Sequence, residues 1–197
     1  MFNIQELEKI KEKALREHIP IIMDDTLEKI KEILIQKNPT KILEIGTAVG
    51  YSASQFVRFA PNASVDTIEL DENRAKEAIE NIRKIGIEDK INVLIGNAVE
   101  ILPTLEGQYD MIFIDANKGK YPIFLQEGIR LAKNHGIILA DNILYKGYVM
   151  SDYNKHKQRT AVNHLREYIK MATENVNLET EILEVGDGLA ISLVKKD

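Results

Sequence analysis

The sequence predicts an α/β fold on an open, mostly parallel sheet, and three observations carry the prediction. Short apolar runs of strand length alternate with longer stretches of helical period along the chain. The stretch 41–52, KILEIGTAVGYS, reads as a strand buried on both faces, through Ile42, Leu43 and Ile45, that runs into a glycine turn opening the next helix. Two later runs, 178–185 and 189–194, flank Gly186-Asp187-Gly188, the pattern of an antiparallel hairpin.

With 197 residues, 44% of them hydrophobic, the chain can bury a sizeable core, and nothing in it resembles a linker or repeat. One domain over 1–197 is expected, with N-terminal helices at about 3–36. The absence of cysteine excludes disulfides and thiolate chemistry. No 18-residue apolar run and no signal-like N-terminus occur, which predicts a cytoplasmic protein with no membrane partner. A net charge of -5 gives no global attraction to nucleic acid, and the four histidines lack metal-ligand spacing.

In chain order, Ile4, Leu7, Ile10 and Ala14 repeat at helical spacing within 3–17. His18-Ile19-Pro20 ends that helix, because a residue before proline is pushed out of the helical region. A second helix follows from 24 or 25 to 36, burying Leu27, Ile30, Ile33 and Leu34. After the opening strand come a helix at 52–59, a strand at 65–70, a charged helix at 72–84 and a strand at 91–95. A helix ending near Leu105, a strand at 109–114, a helix at 121–132 and a strand at 137–140 continue the alternation. A polar segment, 144–158, precedes a last long helix at 159–173 and the closing hairpin.

An open parallel sheet binds ligands outside the C-terminal ends of its strands. Glu44 and Gly46, Glu69, Asn97 and Ala98, Asp115, then Asp141 and Asn142 stand at five successive strand ends, so polar and acidic groups are expected along one edge. An acid at the end of the second strand, here Glu69, suits the two hydroxyls of a ribose. The glycines follow Glu44-x-Gly46-x-x-x-Gly50 instead of G-x-G-x-x-G, which disfavours a pyrophosphate cradle.

The E-x-G-x-x-x-G motif resembles the first motif of the class I S-adenosylmethionine (SAM)-dependent methyltransferases. FIDANK at 113–118 and LADN at 139–142 narrow the resemblance to their cation-dependent catechol and caffeoyl-coenzyme A O-methyltransferases, and 19–194 follows that family's motif order. The resemblance implies a Rossmann-like, seven-stranded sheet and a homodimer. It places SAM against Met23, Glu44, Gly46, Tyr51, Ser52, Glu69, Ala98 and Asp115. It also implies a metal at Asp115, Asp141 and Asn142, with Asp115 and Lys118 catalytic and Lys118 the base. Three hard oxygen ligands suit Mg²⁺ or another hard divalent cation and leave positions for an acceptor with two neighbouring oxygens.

Ordinary roles are open to the same residues. Asp115 and Asp141 could cap helices, Asn142 could serve a turn, Lys118 could be a solvated surface lysine, and Glu44 could bond the backbone amides of the glycine turn. Read jointly and in register, they favour the functional assignment.

The acceptor can be a small catechol or phenol, or 5-hydroxyuridine at the tRNA wobble position, which offers a metal the same two-oxygen bite. The segment 142–159 carries Lys146, Lys155, Lys157 and Arg159, and with Lys118 and Lys120 these could neutralise anticodon phosphates. Tyr145, Tyr148 or Tyr153 could stack on an unpaired base. This stretch, and a segment pattern similar to the bacterial tRNA 5-hydroxyuridine methyltransferases, favour tRNA as the partner. A small phenol is the alternative, and a non-catalytic nucleotide-binding module is a third reading.

Overall fold

Seven strands form one sheet in the order β3-β2-β1-β4-β5-β7-β6 in a computed structural model that describes residues 2–152 and 158–196. In chain order these are β1 (Lys41–Ile45), β2 (Ser64–Glu69), β3 (Ile91–Ile95), β4 (Tyr109–Ile114), β5 (Ala132–Ala140), β6 (Leu178–Leu183) and β7 (Leu189–Val194). The parallel strands precede an antiparallel C-terminal pair, as the sequence predicts. The chain divides into two compact units, Met1–Ile101 and Leu102–Asp197. No helix among the described residues is long and apolar enough to cross a membrane.

In the first unit, β2 pairs in parallel with β1 and with β3, and Ile42, Leu43, Ile45, Val65 and Ile68 are buried. Four helices longer than two turns accompany them: α1 (Ile4–Arg16), α2 (Asp24–Lys37), α3 (Tyr51–Phe59) and α4 (Glu72–Ile85). Each buries one stripe, Leu7, Ile10 and Ala14 in α1 and Ala75, Ala78 and Ile82 in α4, because a 3.6-residue period returns these positions to one face. Asp71 caps α4 by accepting from the amides of Asn73 and Arg74, and Gly86 ends it in the left-handed region at φ 82°.

Helix α5 (Ala98–Ile101) is shorter than the sequence suggests. It passes into a 3-10 turn at Leu102–Thr104, since Pro103 lacks an amide proton and pushes Leu102 away from α geometry.

In the second unit, β4 and β5 are parallel and their last four residue pairs, Met111 with Ile137 to Ile114 with Ala140, are in register. Strand β5 starts five residues before the expected Ile137. The run Lys133-Asn134-His135-Gly136 is bulged out, with His135 at φ 62°, so Tyr109 pairs with Ala132 and the apolar pattern is interrupted inside one strand. Helices α6 (Tyr121–Leu131) and α7 (Arg159–Glu174) bury Tyr121, Phe124, Leu125, Leu165 and Tyr168.

Candidate active site

In the first unit, β1 ends in a loop with three left-handed residues, Gly46 at φ 108°, Ala48 at 48° and Gly50 at 80°. A Cβ on Gly50 would stand 3.3 Å from the Ala78 Cβ, so this position needs glycine for both its conformation and its packing on α4. The loop is held from three sides. Ala48 donates its amide to Glu69 Oε2 at 2.7 Å, Asn81 Nδ2 donates to the Val49 carbonyl at 3.0 Å, and the Gly46 amide donates to the Ile68 carbonyl at 3.0 Å. Glu69 Oε1 accepts from the Asp71 amide at 3.0 Å. Each Glu69 oxygen keeps a further lone pair, so the carboxylate can both fix the loop and accept from ribose hydroxyls.

Glu44 is fully buried and accepts from Thr67 Oγ1 at 2.5 Å, and Thr67 Oγ1 lies 2.6 Å from Thr47 Oγ1. Glu69 thus bonds the glycine loop's backbone, and Glu44 accepts from a hydroxyl on the neighbouring strand. Parallel register places Glu44 beside Thr67. The polar Thr67 inside the apolar run of β2 is the sequence signal for this buried pair.

The other expected donor-binding residues occupy distinct places in this unit. Met23 precedes α2 and is 48% exposed, Ser52 is half-buried in α3, and Ala98 opens α5. Tyr51 is buried, and its hydroxyl accepts from Gln55 Nε2 at 2.9 Å. Burial raises the Tyr51 pKa above its ordinary value against the smaller effect of Gln55 and Lys11, so the phenol is neutral and packed within the unit.

In the second unit, Asp115 follows β4 and Asp141 follows β5, and the Asp141 amide donates to the Ile114 carbonyl at 3.0 Å. Neither aspartate caps a helix. Asn117 caps the 3-10 turn Lys118–Lys120, Lys120 precedes α6 and Gln158 precedes α7. Asp141 is 1% exposed. Burial, and secondarily the Asp115 charge, push its carboxyl up to about 7, against the Asn142 amide and Lys118. Burial also raises Asp115, and Lys118 partly offsets this. A half-buried Asp115 whose charge disfavours ionisation of the buried Asp141 makes a site that gains from a cation.

Asn142 adopts φ 56° and donates its amide to Asp141 Oδ1 at 2.7 Å. Lys118 Nζ donates to Asn142 Oδ1 at 2.9 Å and lies 5.9 Å from the centre of the Tyr145 ring, which meets Tyr148 edge-on. It is thus a partly buried member of the cluster and no solvated surface lysine. Tyr121, fully buried, donates its hydroxyl to the Asp141 carbonyl at 2.9 Å and pins the strand end from below. No pattern in the sequence distinguished Tyr121 from an ordinary core aromatic.

Of the expected RNA-facing cations, Lys120, Lys146 and Arg159 are exposed. Lys155 and Lys157, with Tyr153, lie outside the described residues. Among the described residues no group of three or more His, Cys, Asp or Glu side chains could hold a metal, so a metal set here would need oxygens beyond the two aspartates, and the Asn142 amide oxygen is the expected candidate.

A family model described as O-methyltransferase matches residues 2–196. The chain belongs to the O-methyltransferase family. The enzyme is 35% identical over 178 residues to the catechol O-methyltransferase of Niastella koreensis, covering 85% of this chain and 79% of that one. It is 34% identical over 162 residues to the catechol O-methyltransferase of Mycobacterium tuberculosis, covering 79% and 72%. Among solved structures, a Staphylococcus aureus protein provisionally assigned as a caffeoyl-CoA O-methyltransferase superposes with a TM-score of 0.89 at 34% identity, covering 95% of this chain and 91% of that one. A Bacillus cereus O-methyltransferase in complex with SAH, S-adenosylhomocysteine, gives 0.87 at 25% identity over 97% and 91%.

Proposed function

We propose that this O-methyltransferase moves a methyl group from SAM to one hydroxyl of a small catechol-type phenol, with Mg²⁺ or a similar hard divalent cation at Asp115, Asp141 and Asn142. One observation carries the reading. Asp141 is buried with its carboxyl raised by burial and by the Asp115 charge, Asp115 is itself raised by desolvation, and the pair stands with an amide oxygen and Lys118, a hard-oxygen donor set that a divalent cation completes. When bound, SAM supplies a sulfonium methyl and the cation supplies the charge that favours the ionised acceptor oxygen.

The chain's own residues do the rest. Glu69 accepts the ribose hydroxyls while fixing the loop at Ala48, Glu44 steadies the loop from the core through Thr67 and Thr47, and Gly46, Ser52 and Ala98 form the remaining donor side. Lys118, steadied by Asn142 Oδ1, handles the acceptor's proton, and the Tyr145 ring beside it gives an aromatic acceptor a face to rest on. Little covalent chemistry falls to the protein, whose contribution is position and electrostatics.

A small acceptor is favoured over the tRNA wobble base on two grounds. The relatives compared above carry catechol and caffeoyl-CoA names. Lys118, one of the cations assigned to RNA phosphates, is half-buried and donates to Asn142 Oδ1 within the acceptor-side cluster instead of standing exposed for a phosphate.

The test is methylation of 3,4-dihydroxybenzoate by the purified enzyme with SAM, with and without Mg²⁺, beside tRNA carrying 5-hydroxyuridine. Methylated phenol that disappears with EDTA is expected. Asp141→Ala should abolish turnover yet keep SAM binding within about twofold by calorimetry. Methylation of the tRNA with none of the catechol would overturn the assignment.

A further inference from the structure

The segment from Asn142 to Ser151 is held in an unusual conformation by two side chains that belong to neither the donor nor the acceptor set. Four of its residues are left-handed: Asn142 at φ 56°, Tyr145 at 43°, Lys146 at 58° and Gly147 at 72°. Three of these carry a Cβ. Each such residue costs free energy and persists only where the surroundings over-determine it.

The surroundings are the β6–β7 turn and α7. Asp187 Oδ1 accepts the Lys146 amide, the Asp187 carbonyl accepts the Leu144 amide at 3.0 Å, and the Gly188 carbonyl accepts the Ile143 amide at 3.0 Å. Gly188, at φ 93°, lies so close to Leu144 that an added Cβ would clash with its side chain. From the other side, Arg166 on α7 donates Nε to the Val149 carbonyl at 3.0 Å and Nη2 to the carbonyls of Tyr148 at 3.3 Å and Ser151 at 2.5 Å. A planar guanidinium spreads its donors over separate nitrogens, Nε and Nη2, so it reaches three carbonyls of a turn that the three donors of a lysine, all on one nitrogen, do not span in the same way.

We propose that Asp187 and Arg166 are positioning residues for acceptor methylation: they clamp the segment 142–151 so that Asn142 Oδ1 receives Lys118 and the Tyr145 ring lies beside the lysine. The turn that closes the C-terminal hairpin thus has a second task beyond joining two strands. The clamp works through backbone groups, so it acts on the acceptor side and leaves the glycine loop of the first unit alone. This inference rests on the catechol reading for its kinetic arm only.

The experiment compares Asp187→Ala, Asp187→Asn and Arg166→Lys with the unaltered enzyme. Asparagine keeps an oxygen at Oδ1 that can accept the Lys146 amide, and alanine does not. Hydrogen exchange at that amide should quicken in Asp187→Ala and stay near its original rate in Asp187→Asn. With 3,4-dihydroxybenzoate and Mg²⁺, kcat/KM should fall on the order of tenfold or more in Asp187→Ala and Arg166→Lys, the scale of a lost charged hydrogen bond. SAM affinity by calorimetry should not move, which separates positioning from general destabilisation.

Unchanged exchange and kinetics in Asp187→Ala would overturn the clamp, as would Asp187→Asn failing as badly as Asp187→Ala, since charge would then be the cause. If Asp187→Ala does not fold, Asp187→Asn and Arg166→Lys decide: the clamp requires the first to be near normal and the second impaired. If no form methylates the catechol while exchange at Lys146 responds as described, the clamp stands and the acceptor assignment falls.

Discussion

In the metal-free enzyme, Asp141 should make stability fall as pH rises, and a divalent cation should reverse the trend. Its carboxyl is pushed from an ordinary 3.8 up to about 7 by burial and by the Asp115 charge. A carboxyl whose folded pKa lies above its unfolded value binds more protons folded than unfolded between the two. The slope of stability with pH is then negative across that window, the cost of the buried charge being absent below about pH 4 and fully present above about pH 7. A gap of about three pH units at about 1.4 kcal/mol each amounts to about 4 kcal/mol at most. For a chain of this size that is roughly 8–16 °C in Tm.

The assay is thermal melting from pH 4 to pH 8 in EDTA, comparing the unaltered enzyme with Asp141→Asn. Asparagine keeps the oxygen that accepts the Asn142 amide and cannot ionise. Taking the difference cancels every other titrating group, so the variant should match the parent at the acid end and melt higher at pH 8. Adding Mg²⁺ should raise the parent's Tm increasingly with pH and leave the variant nearly unmoved, since binding to the folded form alone stabilises it. Parallel pH curves for the two proteins in EDTA would refute the buried-charge argument, and a Mg²⁺ response unaffected by Asp141→Asn would refute the metal assignment.

Three further outcomes are expected. Glu69→Gln replaces one of two acceptor oxygens by a donor, so either the Ala48 or the Asp71 amide loses its partner, and SAM affinity by calorimetry should drop about tenfold or more. Gly50→Ala forces a side chain to φ 80° against Ala78, and denaturant melts should show about 1–2 kcal/mol of destabilisation. Tyr121→Phe leaves the Asp141 carbonyl without its buried phenol donor and should cost about 1–3 kcal/mol in the same melts, with catechol kcat reduced and SAM affinity unchanged.

The amino-acid order alone was enough for the alternation of strands and helices, the glycine loop after β1, the closing hairpin and the residues at the strand ends. Those features rest on local physics: apolar period, the conformational demands of glycine and proline, and the rule that parallel sheets present their C-terminal edges. The bounds failed where a local signal was interrupted, at the bulge of Lys133 to Gly136 inside β5 and at Pro103 after α5.

What only the tertiary structure decided is which groups bond to which. Glu69 and Ala48 are 21 positions apart, Glu44 and Thr67 are 23 apart, Lys118 and Asn142 are 24 apart, and Lys146 and Asp187 are 41 apart. Each pair meets through strand register or a turn packed across a loop, and no local propensity encodes such a meeting. That is why Asp115, Asp141 and Asn142 could be placed at strand ends by their position in the chain, while the hydrogen bonds of Thr67, Tyr121, Arg166 and Asp187 became visible only once the chain was folded.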